Sequence, residues 1–331
     1  MIAEEPGVPA PGEAAPQEAA SEATQIRLGL VQLDAGDDVD ANLDRALVLT
    51  RRALDAGARL AALPETFLFR GRTAGHRACA APVPGPLTEP FAALARERAA
   101  WLLLGSVAEA SGDPDRPYIT SVLLAPDGSV AAAYRKIHLF DVAIDAGPST
   151  RESARATAGD HAVIADVPLR DLRPRGAGRP AAGAAERTAT GAGPAPDADR
   201  PGASLRLGLT VCYDVRFPEL YRLLALAGAE VLTVPADFTE RTGRDHWEPL
   251  LRARAIENGA YVVAPAQCGV PPAGPAAYGH SMVVDPWGTV VAQASDGPGI
   301  VVADIDLARV RAARRQVPGL ANRRPEAYHL G

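Results

Sequence analysis

Residues 205–219 read Leu205-Arg-Leu-Gly-Leu-Thr-Val211-Cys212-Tyr-Asp-Val-Arg-Phe-Pro-Glu219. A strand-like run ends in a cysteine, a polar cluster follows, and helical spacing resumes. A core strand does not turn polar so abruptly, so Cys212 is expected on a tight turn between a strand over 205–211 and a helix over 217–228. Downstream, the pattern predicts a strand at 230–234, a helix at 244–258 and a strand at 260–266. Strands at 280–285, 289–293 and 299–304 follow, then a helix at 306–315. Upstream it predicts strands at 26–33, 60–63 and 101–107 with helices at 42–56 and 90–99. Two further strands, 118–125 and 129–134, are joined by Pro126-Asp-Gly128. Strands alternating with helices, plus strand pairs joined by turns, point to a layered α/β sandwich with mixed sheets.

The remainder of the 331 residues sets bounds. Residues 1–24 hold five Glu and no Lys or Arg, which predicts a disordered acidic tail without the basic start and apolar run of a secretory signal. The stretch 173–203 contains no Leu, Ile, Val, Phe, Met, Trp or Tyr and is expected to be a disordered insertion in a domain spanning 25–316. A net charge of −6 argues against a broad nucleic-acid footprint, and no apolar run is long enough for a membrane span. Three scattered cysteines make neither a disulfide framework nor a CxxC metal site and suit a reducing, cytoplasmic setting.

Lys and Arg total 34, yet Lys136 is the single lysine. Where arginine serves every ordinary surface role, the surviving lysine is a candidate for chemistry that needs a compact ammonium. Lys136 follows the strand at 129–134, Glu65 follows the one at 60–63, and Cys212 follows the one at 205–211. Groups at strand ends converge readily in such folds. Cys212 is the natural nucleophile, because backbone N–H groups on its turn can stabilise a thiolate and then an oxyanion. Glu65 is the candidate proton acceptor and Lys136 the candidate charge stabiliser. Each has a plainer alternative: a packed cysteine, a loop carboxylate, a surface lysine.

The segments Leu63-Pro-Glu65-Thr-Phe67, Tyr134-Arg-Lys136-Ile-His-Leu-Phe-Asp141 and Leu209-Thr-Val-Cys212-Tyr-Asp-Val-Arg-Phe-Pro-Glu219-Leu resemble, in the same order, the three catalytic motifs of the nitrilase superfamily. The resemblance covers roughly residues 25–330. It implies a four-layered α-β-β-α sandwich whose subunits pair, sheets stacking across the interface, into a homodimer or larger homo-oligomer. It also implies hydrolysis of non-peptide carbon–nitrogen bonds with no metal or organic cofactor. Carried over by motif, Cys212 is the nucleophile, Glu65 the general base and acid, and Lys136 the oxyanion stabiliser, assisted by the Tyr213 N–H. Glu152 stands where the family's second glutamate is usual.

In the C-terminal half, His246-Trp-Glu248, Ala266-Gln-Cys-Gly269 and Tyr278-Gly-His-Ser-Met-Val-Val-Asp285-Pro-Trp-Gly288 resemble the Nit branch, and within it the deaminated glutathione amidases. The sister ω-amidases, which act on 2-oxoglutaramate, are the alternative, with other amidases or carbamoylases of the family behind them. The chain departs from the amidase pattern at Val270-Pro-Pro-Ala-Gly-Pro-Ala-Ala277, where that pattern carries charged and His residues. This loop is expected to border the pocket. Arg216 and Arg254 are candidates for a two-point grip on a substrate carboxylate, or for braces paired with Glu219 and Glu257. His138 is expected to be structural and Asp141 to cap the turn after Lys136. The tail 317–331 resembles the family's arm across the subunit interface. A non-catalytic binding protein is the rival class, and a covalent thiol probe that fails to label Cys212 would favour it.

Overall fold

The computed structural model describes residues 24–143, 150–172, 185–188 and 204–328. Two mixed sheets carry the fold. The first contains β1 (Gln25–Gln32), β2 (Leu60–Ala62), β3 (Trp101–Glu109), β4 (Tyr118–Leu124), β5 (Val130–Arg135) and β17 (Gly299–Asp306), ordered β17-β1-β2-β3-β4-β5. The second contains β8 (Val163–Pro168), β9 (Ala185–Thr188), β10 (Ser204–Leu209), β11 (Val231–Thr233), β12 (Tyr261–Ala264), β15 (Met282–Val284) and β16 (Val290–Gln293), ordered β16-β15-β12-β11-β10-β8-β9. Two short ribbons, β6 (Asp141–Val142) with β7 (Thr150–Arg151) and β13 (Cys268–Gly269) with β14 (Ala277–Tyr278), sit apart from the sheets.

Period-2 alternation sorts side chains between two apolar layers. Leu60, Ala62, Trp101 and Leu103 join the cluster shared with Val163, Leu205 and Leu207 of the second sheet. Their neighbours Ala61, Leu102 and Leu104 face the other way, toward Leu49 and Ala53 of α1 (Val39–Asp55) and Phe91 and Leu94 of α3 (Glu89–Arg98). On the far side, Leu220 and Tyr221 of α5 (Pro218–Leu226) and Trp247 and Leu251 of α6 (Glu240–Asn258) cover the second sheet. Both sheets are therefore buried on both faces near their centres, which is why their strands are almost continuously apolar. The chain closes with α7 (Leu307–Gln316), capped by the Asp306 carboxylate on the Ala308 N–H at 2.9 Å.

The expected elements recur with ends displaced by a few residues. The elements not predicted include the two short ribbons, α2 (Thr73–Ala78), which lacks an amphipathic pattern, α4 (Leu169–Leu172), and β8, whose antiparallel register on β10 is set by long-range pairing. A correction concerns the stretch at 173–203, expected to be disordered. Ala185–Thr188 forms an edge strand paired with β8, because backbone N–H and C=O groups can extend a sheet without apolar side chains. The rest of that stretch, the tail up to residue 23 and residues 329–331 lie outside the described residues.

Candidate active site

Glu65, Lys136 and Cys212 all stand just beyond the C-terminal ends of strands β2, β5 and β10. Glu65 leaves its strand through a tight passage. A Cβ on Gly105 of β3 would lie 2.1 Å from the Leu63 carbonyl oxygen and 2.4 Å from that of Pro64, so only glycine admits the turn. Thr66, the next residue, has φ +53°, and its N–H donates to Ser106 Oγ at 2.9 Å. Cys212 has φ +49°, and its N–H donates to the Pro235 carbonyl at 2.9 Å. Left-handed backbone at a non-glycine residue costs on the order of 1–2 kcal/mol and clusters at functional sites.

Lys136 lies between two carboxylates. Its Nζ donates to Glu65 Oε1 at 2.9 Å and to Glu152 Oε2 at 2.8 Å. All three are buried, as is Cys212. Glu65 also accepts the Asp237 N–H at 2.8 Å, and Gln267 Nε2 donates to its carbonyl at 2.9 Å. Glu152 accepts the Phe140 N–H at 2.8 Å. Asp141 accepts from both the N–H and Oγ of Ser153, which fixes the turn carrying Glu152.

The electrostatics follow from this packing. Burial would lower the Lys136 ammonium, but the charges of Glu152 and Glu65 outweigh it and hold the group well above its ordinary value. Burial would raise Glu152, yet Lys136 and the Phe140 N–H keep it low, so it is ionised. Glu65 is different. Burial pushes its carboxyl up, Lys136 pulls it down, and the charge of Glu152 pushes it up again, so its proton affinity ends above normal. Burial and the Glu65 charge push the Cys212 thiol well up, against Lys136. The thiol is therefore neutral at rest, and the best acceptor for its proton is Glu65. Moving that proton from sulfur to Glu65 leaves the net charge of the four groups unchanged. That matters in a site where water cannot screen an added charge.

These side chains form one wall of a cavity of about 370 Å³. Tyr213 and Phe140 line it, as do Pro271, Ala273 and Pro275 of the loop expected at the pocket. Arg254 is a correction: it stands outside this lining. Its Nε donates to the Val215 carbonyl of the nucleophile turn at 2.9 Å and its Nη1 pairs with Glu257 of its own helix at 2.8 Å, the brace that was the alternative to a substrate grip. Arg216 is likewise outside the lining, over the rings of Tyr213 and Phe238 at 5.9 and 5.2 Å.

Residues 27–315 match the carbon-nitrogen hydrolase family. The chain belongs to that family. Among similar carbon-nitrogen hydrolases, human deaminated glutathione amidase is 41% identical over 306 residues, 91% of this chain and 83% of its own. Mouse omega-amidase NIT2 is 33% identical over 92% of this chain and 96% of its own. The crystal structure of the Caenorhabditis elegans NitFhit protein superposes with a TM-score of 0.76 at 35% identity, over 92% of this chain and 66% of that longer one. The two mixed sheets and flanking helices are thus the nitrilase-superfamily fold, as the sequence motifs imply.

Residues of this carbon-nitrogen hydrolase that sequence reasoning passed over are the ones that hold the others. Asp214, fully buried, accepts from Tyr134 Oη at 2.7 Å, the Val211 N–H at 2.8 Å, the His138 N–H at 3.1 Å and His138 Nδ1 at 2.7 Å. His138 stacks on Phe217, in keeping with the structural role expected for it. Arg70 pairs with Asp237 at 3.0 Å and donates to the Cys268 carbonyl at 2.9 Å. A local signal existed for Asp214 alone: an acidic side chain three residues into a turn can cap that turn's own N-terminal N–H.

Proposed function

We propose that the chain hydrolyses a small-molecule amide through a thioester on Cys212, and that its substrate is deaminated glutathione, the glutathione in which the amino group has become a ketone. The observation that carries this reading is the buried Glu65–Lys136–Glu152 arrangement beside the Cys212 thiol on one cavity wall. The thiol proton passes to Glu65 as sulfur attacks the amide carbon. The oxyanion forms against the Lys136 ammonium and the Tyr213 N–H. As the tetrahedral centre collapses, the C–N bond breaks and Glu65 delivers its proton to the leaving nitrogen. Glu65 then takes a proton from water, whose oxygen attacks the thioester. The C–S bond breaks, and sulfur recovers the proton from Glu65. Glu152 keeps Lys136 charged and oriented throughout. No step calls for a cofactor.

The substrate reading draws on the similarity to deaminated glutathione amidases. Cleavage of the γ-amide would give 2-oxoglutarate and cysteinylglycine. The ω-amidase relative and the uncharged 271–275 wall favour testing 2-oxoglutaramate beside it. The deciding experiment measures product release from each, with Cys212→Ala as blank. Cys212-dependent cleavage of deaminated glutathione is expected. Cleavage of 2-oxoglutaramate alone would reassign the substrate, and equal turnover by Cys212→Ala would overturn the mechanism.

We further read 317–328 as an arm that pairs subunits, since Val317 and Tyr328 are exposed apolar side chains there. Light scattering is expected to report a dimer or larger. A reducing, cytoplasmic setting suits the three unpaired cysteines, and no described helix is long and apolar enough to cross a membrane.

A further inference from the structure

The charged groups along the cavity are unevenly matched. Of the cations in its lining, Lys136 is taken by Glu65 and Glu152, and Arg70 by Asp237. Lys136 and the Phe140 N–H both hold Oε2 of Glu152, and Arg155 faces its other oxygen, Oε1, at 3.8 Å, beyond hydrogen-bond distance. Arg72 lines the same cavity, is exposed, and has no side-chain partner among the described residues. Among the described residues, the Arg72 charge in the lining therefore has no carboxylate partner, and that of Arg155 has only a distant one.

His76 gives an independent reading of the local field. It also lines the cavity, and burial together with the Arg155 charge pushes its imidazole down to about 4, against the opposing pull of Glu152. It is thus neutral at ordinary pH, so it adds no charge of its own and can donate or accept a hydrogen bond beside the two arginines. Arg72 begins the turn into α2 and Arg155 ends the one-turn helix that carries Glu152, so both are anchored next to the site, and neither guanidinium makes a side-chain hydrogen bond among the described residues.

We infer that Arg72 and Arg155 form an anion subsite that takes a carboxylate of the substrate. A guanidinium offers a carboxylate two parallel hydrogen bonds, and a half-desolvated cavity strengthens them. This deepens the amidase reading and rests on it. Deaminated glutathione carries one carboxylate on the acyl side of the scissile amide and one at the end of the leaving group. 2-Oxoglutaramate carries only the first, and its methyl ester carries neither.

The test compares wild-type protein with Arg72→Ala, Arg72→Lys and Arg155→Gln on these three amides. Loss of kcat/KM of roughly 10- to 100-fold, mostly as raised KM, is expected on carboxylate substrates. Turnover of the methyl ester by the Arg72 variants is expected to be unchanged, and Arg72→Lys to recover part of the loss. A loss on both acids assigns the acyl-side carboxylate. A loss on deaminated glutathione alone assigns the leaving-group carboxylate. An equal loss on the ester, or none on any amide, overturns the subsite. If wild-type protein cleaves none of the three, the amidase reading fails separately. Calorimetric titration of 2-oxoglutarate into Cys212→Ala then decides the subsite: affinity unchanged by Arg72→Ala rejects it, and affinity lost supports it.

Discussion

The Asp214 carboxylate stands 2.7 Å from Nδ1 of His138, and this contact ties the turn of Cys212 to the strand end of Lys136. Asp214 lies two residues after the nucleophile, and His138 two residues after the lysine. Tyr134, two residues before the lysine, donates to the same carboxylate. One buried anion therefore sets the distance between the two reacting groups.

Replacing Asp214 with Asn keeps the shape but turns an amide NH2, itself a donor, toward donors. Loss of kcat of about 10- to 100-fold is expected, with a smaller change in KM and a lower Tm. Steady-state kinetics beside a thermal melt check this. A fall in Tm with unchanged kcat would show that the clamp serves stability alone.

Glu152→Gln removes one of the charges that hold the Lys136 ammonium high and the Glu65 carboxyl above normal. Both groups then lose protons at lower pH. The acid limb of the pH–rate profile, where Glu65 must be ionised to accept a proton, is expected to move to lower pH. The alkaline limb, where Lys136 must be charged, is expected to move the same way. A profile fixed at both ends would reject this coupling.

Glu65→Gln is expected to separate thiol acidity from activity. The Glu65 charge pushes the thiol up, so its removal lets the thiolate form at lower pH although burial still opposes it. Thiolate absorbance followed against pH is expected to shift downward while amide turnover falls by roughly 10²-fold or more. A thiol titrating higher in this variant would contradict the electrostatic account.

Gly105→Ala places a Cβ against the carbonyls of Leu63 and Pro64. The backbone there must shift, costing about 1–3 kcal/mol and displacing Glu65. Lower stability in urea together with lower kcat is expected. Full activity at reduced stability would mean the Glu65 loop tolerates the shift.

Much of the fold was legible because its signals are local. Apolar runs at 60–63, 101–107 and 205–211, each closed by proline, glycine or a polar cluster, mark buried strands whatever they pair with. β8 escaped because its place in the second sheet depends on β10, about 40 residues later, and β9 because backbone pairing needs no apolar side chain. In the site, Glu65, Lys136 and Cys212 were legible from position after a strand and from composition, the single lysine above all. Arg254 stayed open between a substrate grip and a brace on Glu257, and the structure shows the brace, because a charged residue on a helix reads alike whether it faces a ligand or a neighbouring group.

The sequence by itself determined the layered α/β class, the strand-end residues able to do chemistry and the motifs that join the chain to its family. These depend on residue type and short-range spacing. The tertiary structure alone decided that Lys136 sits between Glu65 and Glu152, that Asp214 spans two strand ends, and that Arg72 is left without a side-chain partner among the described residues. Those relations join residues far apart in the chain. They depend on which groups become each other's neighbours once water is gone, and buried charge and hydrogen bonding are settled there.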